Sequence, residues 1–221
     1  MRIAAVLFRC ALPVLLAAGL GAAQAMPVLG RDYVPISPAQ PTESGSKIEV
    51  VEVFSYACPH CADFEPKLEP WLKSLPADVA FRRMPVTFGR DSWANLAKAY
   101  FSLEVLGQTP LSSKVFEAIH TQNIRLDDPD TLFDWAAKQG LDRKAFADVF
   151  ASFGTQAKLQ RSSQLVRAYG VDGVPALIID GKYRVIAGED MLRVADELIQ
   201  LARTQRPKAS VEQRGVKTAG R

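Results

Sequence analysis

Cysteine is scarce in this chain: 221 residues carry three, too few for a disulfide scaffold. An excess of one charge sign is missing too. Lysine and arginine number 27 against 24 acidic residues, a formal net charge of +3, too thin a margin to argue for nucleic acid or an anionic membrane surface as partner. Glycine and proline, 14 each, stand near average usage, which excludes collagen-like and linker-dominated architectures. What is present is apolar. A hydrophobic content of 48% excludes an intrinsically disordered protein, and the length suffices for one large domain or two small ones.

The first 25 residues hold Arg2 and Arg9 and no acid, then an apolar run from Ala11 to Ala23 and the triplet Ala23-Gln24-Ala25. This pattern predicts a secretory signal peptide cleaved after Ala25. The run is too short, and the following segment too rich in proline, for a membrane-spanning helix. The mature protein is therefore expected to be soluble and exported. Cys10 leaves with the signal, and two cysteines remain, in Ala57-Cys58-Pro59-His60-Cys61. In an oxidising compartment such a pair can close on itself. A loop so small removes little chain entropy from the unfolded state, so reactivity explains the pair better than stapling does.

Residues 26–46, with four prolines and two glycines, predict an irregular lead-in without identifiable chemistry. The run Ile48, Val50, Val51, Val53, Phe54 is apolar on both alternating faces, as in a central strand covered twice, and Glu52 interrupts it. Pro59 suits a first helical position, and Cys61, Phe64, Leu68, Trp71, Leu72 and Leu75 follow at helical spacing, with Pro66 and Pro70 expected to kink the helix. A strand expected over 79–86 makes a parallel pairing the economical topology. Helical periodicity then fills 91–169, with Asp128-Pro129 and Asp142 as starts and Gly107, Gly140 and Gly170 as stops. A hairpin is expected over 176–186 with Asp180-Gly181 at its turn, then a helix over 189–202 and a disordered basic tail over 205–221.

With Pro59 opening the helix, Cys58 takes the N-cap, and its sulfur faces the unpaired N–H groups of His60 and Cys61 at the positive end of the helix dipole. A protonated His60 adds positive charge beside it. Both favour the thiolate. A stabilised thiolate is a good leaving group, so a Cys58–Cys61 disulfide is comparatively unstable and tends to be passed to other proteins.

The stretch Glu52-Val53-Phe54-Ser55-Tyr56-Ala57-Cys58-Pro59-His60-Cys61, the later Gly173-Val174-Pro175-Ala176 and the hairpin Asp180-Gly181-Lys182-Tyr183 resemble the DsbA family of periplasmic thiol:disulfide oxidoreductases. The resemblance spans nearly the whole mature chain. It implies an α/β thioredoxin fold with an inserted all-helical domain: 47–90 and 170–204 form the thioredoxin-like part and 91–169 the insertion. It implies a redox-active disulfide between Cys58 and Cys61, a cis bond between Val174 and Pro175 that sets the Val174 backbone beside Cys58 to receive a client chain, and Glu52 as a buried acid that takes up or relays a proton. A lysine-paired or solvated Glu52 at a sheet end is the bland alternative. The clients implied are unfolded exported proteins with free cysteines, and reoxidation is implied to come from a quinone-linked membrane protein of the DsbB type. No metal, nucleic acid or soluble cofactor is expected.

The other residues of note have bland readings. His120 is expected at a surface or helix end, Trp71, Trp93 and Trp135 in the core, and Arg82 and Arg83 facing water beside a strand. Two competing functions remain open. A disulfide isomerase or reductase would hold Cys58 reduced; family relatives of that kind carry an N-terminal dimerisation domain, whereas only about twenty residues precede the first strand here, and a monomer is expected. A soft-metal carrier would use both thiolates as ligands, yet zinc needs two further ligands that recur at no suitable spacing.

Overall fold

The computed structural model describes residues 26–206; the expected signal peptide, and the expected tail from residue 207 on, lie outside the described residues. Along the chain run β1 (Tyr33–Pro35), β2 (Ile48–Phe54), α1 (Pro59–Ser74), β3 (Val79–Pro85), α2 (Asp91–Val105), a short 3-10 turn (Thr109–Leu111), α3 (Ser112–His120), α4 (Pro129–Lys138), α5 (Arg143–Ala151), α6 (Phe153–Ala168), β4 (Ala176–Ile179), β5 (Tyr183–Val185) and α7 (Met191–Gln205). The sheet order is β1-β5-β4-β2-β3. β2 pairs parallel with β3 and antiparallel with β4, and the remaining pairings are antiparallel. Five helices, α2 to α6, intervene between β3 and β4. This is a thioredoxin fold with a helical insertion.

The double alternation along β2 decides the layering. All seven of its residues are buried. Ile48 and Val50 join Phe64, Leu68 and Trp71 of α1 and Val194 and Leu198 of α7 on one face. Val51 and Val53 join Met84 and Val166 on the other. Phe54 and Tyr56, just past the strand, enter a third cluster built largely from the inserted helices, with Leu96, Tyr100, Val115 and Phe116, and this cluster also holds both cysteines. Burying one such aliphatic or aromatic side chain contributes about 1.5–3 kcal/mol, so the dithiol sits in a core shared by the insertion and the end of β2.

Helix α1 continues through Pro66 and Pro70. Both prolines are exposed, on the face where water can reach the carbonyls that lose a backbone donor. The expected helix starts hold: Asp128 accepts from the Thr131 amide at 2.9 Å and Asp142 from the Ala145 amide at 2.6 Å. Trp71 and Trp135 are buried, and Trp93 is half-buried.

Three expectations need correction here. The lead-in is not irregular throughout: it supplies β1, paired with β5, and buries Ile36. Three residues are too few to carry a periodic signal, and their partner strand lies at the far end of the chain. The lead-in also passes over the hairpin turn, where Gln40 donates to the Gly181 carbonyl at 2.9 Å. Gly181, at φ +64°, leaves no room there for a side chain, because a Cβ would collide with the Gln40 carbonyl. The last helix runs Met191–Gln205 rather than 189–202, since Glu189 and Asp190 are spent in the turn before it. Finally, Arg82 and Arg83 do not flank β3 facing water but lie within it, Arg82 half-buried and Arg83 turned inward.

Candidate active site

Cys58 is the N-cap of α1, with extended backbone angles (φ −89°, ψ 116°), and Pro59 opens the helix behind it. Proline has no N–H to lose at that position, and its fixed φ suits a helix start. The Cys58 side is 7% exposed and Cys61, one turn on, is wholly buried; both are free thiols in this structure. Of these two sulfurs, Cys58 is therefore the one a large partner could reach.

Their ionisation diverges. The Cys58 thiol is pulled down to about 6 from an ordinary value of 9.0, chiefly because the Cys61 thiol hydrogen-bonds to it. Burial opposes this, while the backbone N–H groups of Cys61 and His60 and the His60 charge assist. The helix end and His60, singled out from the sequence, are thus secondary to the partner sulfur. Cys61 is pushed strongly upward, first by that same hydrogen bond to Cys58 and then by burial. One thiol is poised as an anion and the other as its proton donor.

On the far side of Cys58, the Val174 carbonyl lies 3.5 Å from its Sγ, and the Val174–Pro175 bond is cis. A separation of 116 residues is closed here because the loop after α6 returns the chain to β4, at the centre of the sheet next to β2. Beside Val174 and Pro175 opens a cavity of about 350 Å³, whose walls include His60, Phe64, Lys67 and Met191. Only His60, Val174 and Pro175 of these were identifiable from the sequence. Phe64 reads as core by its spacing, and Met191 reaches the wall only because α7 packs beside α1. A larger cavity of about 540 Å³, near Arg31 and Arg193, shares no residue with this site.

Beneath the cysteines lies an ion cluster. Glu52 is wholly buried, neither solvated nor paired with a lysine: Arg83 Nε donates to its Oε2 at 2.8 Å, and Arg83 Nη2 donates to both oxygens of Glu65 at 2.7 Å. The Glu52 Oε1 atom has no partner among the described residues. Burial raises the Glu52 carboxyl to about 7 in spite of the attraction of Arg83. Its charge also helps raise Cys61. Arg83 and Glu65 were missed from the sequence, although a signal existed. The parallel register pairs Glu52 with Arg83, so an inward acid on one strand faces an inward base on the next.

The raised carboxyl carries a test. An acid with a folded value near 7 and an ordinary value of 4.5 favours folding only while protonated, so its contribution falls as pH rises from 4.5 to 7. Glu52→Gln, which keeps an oxygen for Arg83, is expected to remove that slope and to raise stability above pH 7 by about 3 kcal/mol. Denaturant melts of both proteins from pH 4 to 8 measure it; parallel curves would show that Glu52 does not titrate there.

His120 closes α3 as expected of a helix end, but it is half-buried rather than at the surface, with Nε2 2.8 Å from the Tyr56 carbonyl oxygen. Among the described residues no group of three or more His, Cys, Asp and Glu is placed to hold a metal ion.

A family model described as the DSBA-like thioredoxin domain matches residues 49–200, which takes in β2 apart from Ile48, the cysteine pair and most of α7. The chain belongs to the DsbA family. It is a thiol:disulfide oxidoreductase. Among its relatives, the thiol:disulfide interchange protein DsbA of Bordetella parapertussis is 43% identical over 179 residues, covering 78% of this chain and 85% of the relative. The DsbA of Pseudomonas aeruginosa PAO1 is 38% identical over 185 residues, covering 81% and 87%. The crystal structure of the oxidoreductase DsbA from Xylella fastidiosa superposes with a TM-score of 0.77 at 34% identity, covering 81% of this chain and all of that one.

Proposed function

We propose that this DsbA-family chain works in the periplasm as a thiol:disulfide interchange oxidase, handing a Cys58–Cys61 disulfide to newly exported unfolded proteins. The observation that carries this reading is the opposite displacement of the two thiols, Cys58 down to about 6 and Cys61 strongly up. A sulfur that is stable as a thiolate forms a weak disulfide and leaves it readily, so equilibrium favours passing the bond on.

The exchange balances as follows. A client thiolate attacks Cys58 in the disulfide, the Cys58–Cys61 bond breaks, and Cys61 departs with the electron pair and takes a proton. A second client thiolate attacks the client sulfur of the mixed disulfide, and Cys58 leaves as a thiolate. The client loses two electrons and two protons, and the enzyme gains the electrons. Pro59 and His60 shape and charge the helix start around Cys58, and Glu52, protonatable near neutral pH, supplies or receives the proton that Cys61 exchanges. The backbone at Val174 and Pro175 offers an edge for the client's extended chain, and the apolar wall with Phe64 and Met191 accepts its side chains without demanding a sequence.

The cycle then needs an oxidant, and a DsbB-type quinone-linked membrane protein is the partner proposed for that step. No soluble cofactor or metal enters the exchange, and the protein acts as a monomer. The domain division that accompanies this reading is 47–90 with 170–204 for the thioredoxin-like part and 91–169 for the insertion. The test is to incubate the oxidised protein with a reduced, unfolded client. Stoichiometric loss of client thiols is the expected result; no transfer, with efficient repair of scrambled disulfides, would make the chain an isomerase.

A further inference from the structure

The four residues between β2 and α1 form a tight turn on which both sulfurs depend. Cys58 N–H donates to the Ser55 carbonyl at 3.0 Å, closing the turn, and the Ala57 N–H meets Ser55 Oγ at 3.2 Å. Cys58 is both the last residue of this turn and the cap of α1. The backbone of Ser55, its first residue, hydrogen-bonds Cys61 and opposes the upward displacement of that thiol. The middle peptide of the turn joins Tyr56 to Ala57. Its carbonyl belongs to a buried residue and takes part in no strand or helix ladder, so it needs a donor from elsewhere.

That donor comes from the insertion. His120 Nε2 lies 2.8 Å from the Tyr56 oxygen, and since a carbonyl only accepts, Nε2 carries the proton. The ring is steadied by stacking on Phe116, at 6.2 Å between centroids and 28° between planes. The same helix holds the other end of Tyr56: its hydroxyl is 2.8 Å from Ser112 Oγ, and its ring meets Phe116 edge-on at 5.0 Å. Helix α3 thus grips one residue, two before Cys58, at its carbonyl, its ring and its hydroxyl.

We infer that His120 is a positioning residue for thiol–disulfide exchange, fixing the Tyr56–Ala57 peptide so that the turn presents Cys58 to the N–H groups at the start of α1. Without that hydrogen bond the peptide plane is free to rotate, and the oriented donors around Cys58 are held less well. The thiolate then loses stabilisation, the disulfide gains relative stability, and the protein becomes a weaker oxidant. The inference rests on the oxidase reading, and it gives the insertion a part in the chemistry besides covering the sheet.

The experiment measures the glutathione redox equilibrium and the Cys58 thiolate absorbance of the unmodified protein, His120→Ala and His120→Gln. A glutamine amide can donate to the same carbonyl. His120→Ala is expected to move the equilibrium toward the disulfide by about fivefold, the worth of one ordinary hydrogen bond, with a raised Cys58 pKa. His120→Gln is expected to recover most of that change. Equal values for all three proteins, or a glutamine variant no better than alanine, would overturn the inference. If the alanine variant does not fold, nitrogen NMR of the unmodified protein decides: a slowly exchanging proton on Nε2 supports the role, and a neutral ring protonated on Nδ1 alone refutes it. The absolute equilibrium constant of the unmodified protein tests the oxidase reading separately, since only differences among variants bear on His120.

Discussion

Replacing Cys58 by serine is expected to abolish disulfide transfer, a loss on the order of a thousandfold or more, while Cys61→Ser, whose Cys58 thiolate still attacks a client disulfide, is expected to accumulate client adducts that only a further client thiol releases. The asymmetry follows from burial and from acidity together. Cys61 is wholly enclosed and its thiol is displaced strongly upward, so it is neither reachable by a folded or unfolded client nor ionised to attack one. Cys58 lies at the helix start beside the Val174 backbone, with its thiol near 6, and at neutral pH it is mostly thiolate. In the Cys61→Ser protein, a mixed disulfide through Cys58 therefore has no internal sulfur to displace the client. Mass spectrometry after trapping in cells, or with a test protein that carries a disulfide for Cys58 to attack, reads the outcome. Covalent clients attached through Cys61 in the Cys58→Ser protein would reverse the assignment of roles.

The stability of the reduced protein relative to the oxidised one should stay level below pH 6, climb between about 6 and 9, and fall again above 9. Below 6 the Cys58 thiol is protonated in both the folded and the unfolded chain, so its displacement contributes nothing. Between 6 and the ordinary value of 9.0 the unfolded chain still binds the proton that the folded one has released, which stabilises the folded dithiol increasingly. Above 9 the gain from Cys58 is complete, and the unfolded chain then gives up a Cys61 proton that the folded chain keeps, so the stability declines. The expected rise is about 2 kcal/mol, half of what the full displacement would give, because water at the partly open sulfur screens the interaction. Taking the difference between redox forms removes most of the opposite slope from Glu52, which is present in both. Denaturant melts of the two forms at a series of pH values measure it. A difference that does not change with pH would mean that no thiolate is stabilised by folding, and the oxidant reading would lose its basis.

These expectations draw on features with different visibility. The turn, the cap and the helix that follow Glu52 are local: Pro59 fixes a helix start, which places Cys58 at the cap whatever the rest of the chain does. The periodicity of Ile48 to Phe54 likewise announces a strand covered on both faces. Arg83 was misplaced for the opposite reason. An arginine pair in a short strand reads as solvated, and only the register beside β2, 31 residues away, turns one of the two onto Glu52 and Glu65. Strand β1 escaped because it is three residues long and its partner is β5. His120 lacked any local companion that would mark it, and its partner carbonyl lies 64 residues earlier.

The amino-acid order by itself determined the reactive pair, its place at a helix start and the alternation of strands and helices around it, since each depends on residues within a turn or two of one another. The folded chain alone decided which carboxylate is held neutral near pH 7, which backbone carbonyl faces Cys58, and which helix of the insertion steadies the turn before it. Those outcomes depend on desolvation and on contacts between distant segments, and both exist only after the sheet and the helices have packed.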